Sequence, residues 1–190
     1  MREILSMIIV LSVICSASGF SLAYLKESTA PIIEAQVLTY VQGPAIKEVY
    51  PAATNNPIEE RKAFDVDGRK VMVFPYMRDG KLQGVAIESQ GKGYGGDLGV
   101  MVGFNMSNDT LLGIGITVMK ETPGLGSKVA EPKFSGQFSN SPLTVDLKSR
   151  GGNIDAISGA TISSNGAVTA VQDAAKTFQA LKPQIQQTWQ

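Results

Sequence analysis

Residues 71–87 read Val-Met-Val-Phe-Pro-Tyr-Met-Arg-Asp-Gly-Lys-Leu-Gln-Gly-Val-Ala-Ile. Two short apolar runs, Val71–Tyr76 and Leu82–Ile87, flank Arg78-Asp79-Gly80-Lys81. Asp-Gly between such runs signals a hairpin, because a two-residue turn needs positive φ at both central positions. Further on, Leu98, Val100, Val102 and Phe104 alternate with small or polar residues. Asn105–Thr110 reads as a turn, after which Leu112, Ile114, Ile116 and Val118 alternate with Gly113, Gly115 and Thr117. Each of these strands has a bulky face for the core and a thin face. The thin face admits a closely packed element or a flat ligand. Leu143–Leu147 is a fifth strand candidate. Ser164–Leu181 reads as a helix with an apolar stripe of Val168, Val171, Ala175, Phe178 and Leu181, ended by Lys182-Pro183. Ser163 or Ser164 reads as its N-cap. The pattern is α+β with an antiparallel sheet.

Working toward the amino terminus, Pro51–Arg61 is polar and turn-rich and reads as an exposed connection. Pro31–Val41 reads as a helix interrupted by Gly43-Pro44. Ile4–Leu25 carries no charge. As a helix it would be about 33 Å long, against roughly 30 Å of bilayer hydrocarbon. We therefore expect a tail at 1–3, a transmembrane helix at 4–25 in contact with lipid, a stalk helix and connection at 26–62, and a folded domain at 63–190. A cleaved signal peptide is the competing reading, but Glu3 offsets Arg2 and the apolar run is long for one. Ile14 stands before Cys15 where a lipoprotein signal wants a small residue. The flanking charges cancel, so only the amino terminus favours an N-inside orientation with the domain outside the cytoplasm.

The 190 residues include no histidine and one cysteine. That excludes a Ser-His-Asp triad, an imidazole base, an internal disulfide and a Cys/His zinc site. With 17 basic and 17 acidic residues, the chain also lacks the excess charge of a nucleic-acid binder. Chemistry is left to hydroxyls, carboxylates, lysines, backbone amides or an imported cofactor.

Three segments are candidates for such chemistry. Gly91-Lys-Gly93-Tyr94-Gly95-Gly96 formally matches G-x-G-x-x-G, but it opens a strand rather than a helix, which excludes a dinucleotide fingerprint. Glu121-Thr122-Pro-Gly124-Leu125-Gly126 follows a strand, and its glycines allow backbone amides to face a ligand. Asp155-Ala-Ile-Ser158-Gly159-Ala160-Thr161 feeds the start of the last helix. Exposed amides and the positive dipole end there favour a phosphate. A hydroxyl at that place could itself carry a phosphoester.

Asp155–Thr161 resembles the flavinylation motif D-x-x-[ST]-G-A-[ST]. That motif marks the FMN-binding subunits of two related membrane complexes: the G subunit of Rnf ion-translocating oxidoreductases and the C subunit of sodium-translocating NADH:quinone oxidoreductases. Gly93–Gly96, the Glu121–Gly126 loop and the single N-terminal apolar helix resemble the same family, in the same order. Length and the Ile-Ser-Gly-Ala-Thr-Ile-Ser-Ser stretch favour the Rnf subunit. Many relatives carry His before the Glu-Thr-Pro loop, where this chain has Met119-Lys120. The resemblance implies FMN held covalently by Thr161 through a phosphoester and placed there by a flavin transferase. Ser158, Gly159 and Ala160 would shape the acceptor loop, and Asp155 would serve the transferase. Gly93, Tyr94, Gly95, Glu121, Thr122, Gly124, Leu125, Gly126 and Lys128 would lie about the flavin. It implies an electron relay between ferredoxin and NAD⁺ coupled to Na⁺ or H⁺ movement, among other subunits in a bacterial or archaeal cytoplasmic membrane. The alternatives are the quinone-reductase subunit and a stand-alone membrane-anchored flavin sensor. A Ser/Thr hydrolase is disfavoured, since no histidine base and no Ser-x-x-Lys accompany the loop.

Overall fold

A computed structural model describes residues 2–51, 53–66 and 68–189. The chain divides into two compact units, residues 1–40 and 41–190.

The first unit holds helix α1, Arg2–Val37, with every described side chain exposed. It is long and apolar enough to cross a membrane. Pro31 lies inside α1 rather than opening a second helix. Proline removes one backbone bond there, a loss that a helix of this length absorbs. A π-helical segment, Leu38–Gln42, follows. Gly43-Pro44 does not end the helical run: it begins helix α2, Gly43–Val49, with Pro44 in the first turn, where a missing N–H costs nothing.

The second unit is built on five antiparallel strands in the order of sequence: β1 Lys62–Val66, β2 Arg69–Arg78, β3 Lys81–Lys92, β4 Asp97–Asn105 and β5 Leu111–Val118. Asp79 and Gly80 turn the β2–β3 hairpin with φ of 53° and 71°, as Asp-Gly requires. Strand β1 differs from the expectation that the fifth strand is Leu143–Leu147. That segment makes only an isolated bridge, Leu147 to Ile154, and its apolar residues Val145 and Leu147 plug the core instead.

After the sheet comes one short helix, α3, Pro132–Ser135. The last helix, α4, Thr161–Thr188, covers the bulky face of the sheet. Val73, Val85, Ile87, Val100, Val102 and Phe104 meet Val168, Val171, Ala175, Phe178 and Leu181 in one buried cluster. Phe104 and Phe178 stack at 4.5 Å between ring centroids. Helix α4 outruns its expected stop. Pro183 lies inside it and Ile185 is fully buried, so core contact holds the last turns past the proline.

The thin face is closed by α2. A Cβ on Gly103 would stand 2.1 Å from Val49 Cγ1, and one on Gly115 would stand 2.8 Å from the Ala45 carbonyl oxygen. Phe74, Ala86 and Met101 on that face are buried, as are Ala45, Ile46, Val49 and Tyr50. Gln42 Nε2 donates to Glu88 Oε2 at 2.5 Å, and Thr117 Oγ1 donates to the other oxygen of Glu88. The small residues of β4 and β5 thus receive a helix, not a flat ligand.

Candidate functional site: one cavity where three loops meet

Between β5 and α4 the chain runs through α3 and short helical turns at Gly126–Ala130, Gly136–Phe138 and Lys148–Arg150. Val129, Phe134, Phe138 and Ile154 tether this excursion to the core. It delivers the Glu121 loop and the Asp155–Thr161 loop to the start of α4. The Gly93–Gly96 loop between β3 and β4 arrives from the sheet, because β3 and α4 touch backbone to backbone. A Cβ on Gly91 would lie 1.9 Å from the Gly166 carbonyl oxygen, and one on Gly166 would lie 2.5 Å from that of Lys92.

The three loops enclose a cavity of about 560 Å³, within the range for small-ligand sites. Its wall takes Tyr94 from the first loop, Glu121, Thr122, Leu125 and Gly126 from the second, and Gly159, Ala160 and Thr161 from the third, with Ile162 and Ser163. Tyr94, Leu125 and Ile162 are large apolar side chains that remain exposed here, at 74%, 42% and 53%. Such a rim suits a flat aromatic ligand better than water.

Glu121 is the keystone. It is only 9% exposed, yet it joins the glycine loop to the first turn of α4. The Gly95 N–H donates to Oε1 at 3.3 Å, and Ser163 Oγ donates to Oε2 at 2.7 Å. Gly93 and Gly126 make room for it, since a Cβ at either would stand 1.9 Å or 2.3 Å from a carboxylate oxygen.

Thr161 opens α4 and is exposed to the cavity. The first helical bond runs from the Ser164 N–H to the Ala160 carbonyl at 3.0 Å, so the amides of Thr161–Ser163 have no helical acceptor. Among the described residues, no side chain caps them. The expected caps, Ser163 and Ser164, lie inside the helix instead. Ser164 is fully buried, accepts from the Ile157 N–H at 3.0 Å and donates to the Ala160 carbonyl at 3.0 Å. It pins the acceptor loop to the helix. The helix start is left open toward the cavity, as a phosphate site requires. Ser163, Ser164 and Ile162 are site residues that motif spacing alone does not single out.

Not every expected residue faces this cavity. Asp155, Ser158 and Lys128 line a second one of about 590 Å³, together with Glu131, Lys133 and Gln137. Residues 155–161 therefore form the partition between two cavities. Asp155 pairs with Lys148 at 2.7 Å, and the Gln137 side chain bonds its backbone N–H and carbonyl. Gly124 and Gly159 stand at the loop tips with φ of 72° and 78°. Just before this segment in the chain, the Arg150 guanidinium holds the Asp146 carboxyl below the usual carboxylate range, helped by the Leu147 N–H. Beside the glycine loop, Lys92 does the same for Asp97. On the sheet's far face, burial pushes the Tyr50 hydroxyl well above its ordinary value.

Among known proteins, the family model for the FMN-binding domain matches residues 93–176. The G subunit of the ion-translocating oxidoreductase complex of Methanosarcina acetivorans is 31% identical over 176 residues, spanning 91% of this chain and 93% of that protein. The G subunit of the proton-translocating ferredoxin:NAD(+) oxidoreductase complex of Clostridium ljungdahlii is 27% identical, spanning 86% and 85%. Among solved structures, NqrC of Shewanella oneidensis superposes with a TM-score of 0.53 at 25% identity, over 72% of this chain and 73% of that one.

Proposed function

The chain belongs to the family of G subunits of ion-translocating oxidoreductase complexes, and on that premise we propose that it is a membrane-anchored FMN protein that relays electrons within such a complex. The observation that carries this reading is the single cavity in which Tyr94, the Glu121–Gly126 loop and Thr161 converge. Bound FMN supplies the redox chemistry, taking up two electrons and passing them on singly. The protein supplies place and surroundings. Thr161 Oγ is the proposed point of attachment through a phosphoester. The unpaired amides of the first turn of α4 face the remaining phosphate charge. Tyr94, Leu125 and Ile162 offer apolar surface to the ring system, and Gly159 leaves the acceptor hydroxyl approachable.

The residues fit the cofactor in size, polarity and charge. The cavity matches a ligand of this class, its rim is apolar, and its one uncapped helix start lies beside the acceptor hydroxyl. Asp155, Ser158 and Lys128, on the other side of the partition, are better placed to meet a flavin transferase than the flavin. Likeness to the G subunits extends along nearly the whole chain, which favours that complex over the quinone-reductase complex and over a stand-alone sensor. The coupling of electron transfer to Na⁺ or H⁺ movement, and a domain placed outside the cytoplasm, belong to this proposal as well.

Full-length protein made with its transferase should keep flavin fluorescence after denaturation and electrophoresis. Thr161→Ala should abolish it while the protein still folds. Covalent flavin persisting in that variant would remove Thr161 from the scheme.

A further inference from the structure

We propose that Glu121 is a positioning residue that tunes the flavin: its carboxylate ties the glycine loop to the first turn of α4 and, as a fixed negative charge in the cavity wall, holds the flavin's reduction potential low. This rests on the reading of the cavity as the flavin site.

The carboxylate is almost wholly buried, and its hydrogen-bond partners are neutral: one backbone N–H from Gly95 and one hydroxyl from Ser163. Among the described residues, none of the ion pairs involves it. Burying a charge without an opposite charge is costly, and two neutral donors offset only part of that cost. A neutral amide of the same shape could make the same two links at a smaller cost. Loop-locking therefore accounts for the side chain's length and hydrogen bonds but not for its charge.

Space has been cleared for this group at two places. Gly93 and Gly126, on separate loops, each stand where a methyl group would collide with a carboxylate oxygen. Glu121 also lines the same cavity as Thr161. In a wall of low polarity, a charge acts on its neighbours more strongly than it would in water. Electrons added to a flavin held there meet a negative charge, which disfavours reduction. The two neutral donors disperse that charge only in part.

The experiment compares full-length, flavin-loaded wild type with Glu121→Gln in a spectroelectrochemical titration. Glutamine keeps an oxygen for the Gly95 N–H and an amide facing Ser163, whose hydroxyl can rotate to accept. The potential should rise in Glu121→Gln, with flavin occupancy unchanged and thermal stability equal or higher. An unchanged potential with flavin in place overturns the proposal. So does loss of flavin from a folded variant, because Glu121 would then act in attachment. If Glu121→Gln does not fold, Ser163→Ala reads the same effect with opposite sign. It removes a donor that disperses the charge, so the potential should fall, and no change overturns the proposal. Wild-type protein that carries no covalent flavin would defeat the proposed function instead, a separate outcome.

Discussion

Ser164 shows how much one hydroxyl decides. By position it is an N-cap candidate; in the fold it is a fully buried link that accepts from Ile157 and donates to Ala160. Removing it leaves a donor in the acceptor loop without its partner. Ser164→Ala should cost roughly 1–3 kcal/mol in chemical denaturation, the usual penalty for an orphaned buried group. Amide exchange at Ile157 should quicken in step. Full protection there would mean that Ser164 does not hold the loop. Glu121 behaves alike: its letter in Glu-Thr-Pro-Gly-Leu-Gly is readable, but its partners Gly95 and Ser163 lie 26 and 42 residues away. No local pattern joins them.

At the scale of elements, the contact between β3 and α4 governs the site. Gly166 lies in a helix interior, where alanine would ordinarily gain about 1 kcal/mol. Here a Cβ would stand 2.5 Å from the Lys92 carbonyl oxygen and 2.8 Å from its carbon. Both are backbone atoms, so strand and helix must part. Overpacking of this kind costs about 1–3 kcal/mol, and the sign should reverse: Gly166→Ala should lower the melting temperature and reduce flavin attachment. A variant as stable as wild type would show that the two backbones are not so close.

The strands are unevenly legible. Asp79-Gly80 and the alternations at 98–104 and 112–118 declare β2–β5 because their signals are local. Strand β1 escapes a reading of the sequence, although Asp67-Gly68 carries the same turn signal and Phe64 packs on Trp189 at 5.7 Å. Five residues with a lysine and an aspartate read weakly until the far end of α4 gives Phe64 a partner. Leu143–Leu147 looks like a strand because core-plugging loops also carry alternate apolar residues.

For the whole molecule, the decisive quantity is length. Helix α1 has 36 residues, about 54 Å of helix against roughly 30 Å of hydrocarbon, so a single pass leaves a projecting stretch. Full-length protein should remain in the membrane pellet through alkaline carbonate washing. Release into the supernatant would contradict an integral anchor. Accessibility of introduced cysteines to an impermeant reagent in intact cells would fix the orientation, and labelling from outside is expected.

The sequence alone determined the class of the fold, the apolar anchor and the three motif loops, because each depends on residues close together in the chain. Its composition also ruled out histidine, internal-disulfide and Cys/His metal chemistry, since the residues they need are missing. Only the tertiary structure decided which face of the sheet receives α2 and which receives α4. It also showed that residues 155–161 divide two cavities and that Glu121 joins the glycine loop to the first turn of α4. Those outcomes turn on contacts between distant segments, where the absence of a Cβ at Gly91 and Gly166 sets how near two backbones come and at Gly93 and Gly126 leaves room for the Glu121 carboxylate.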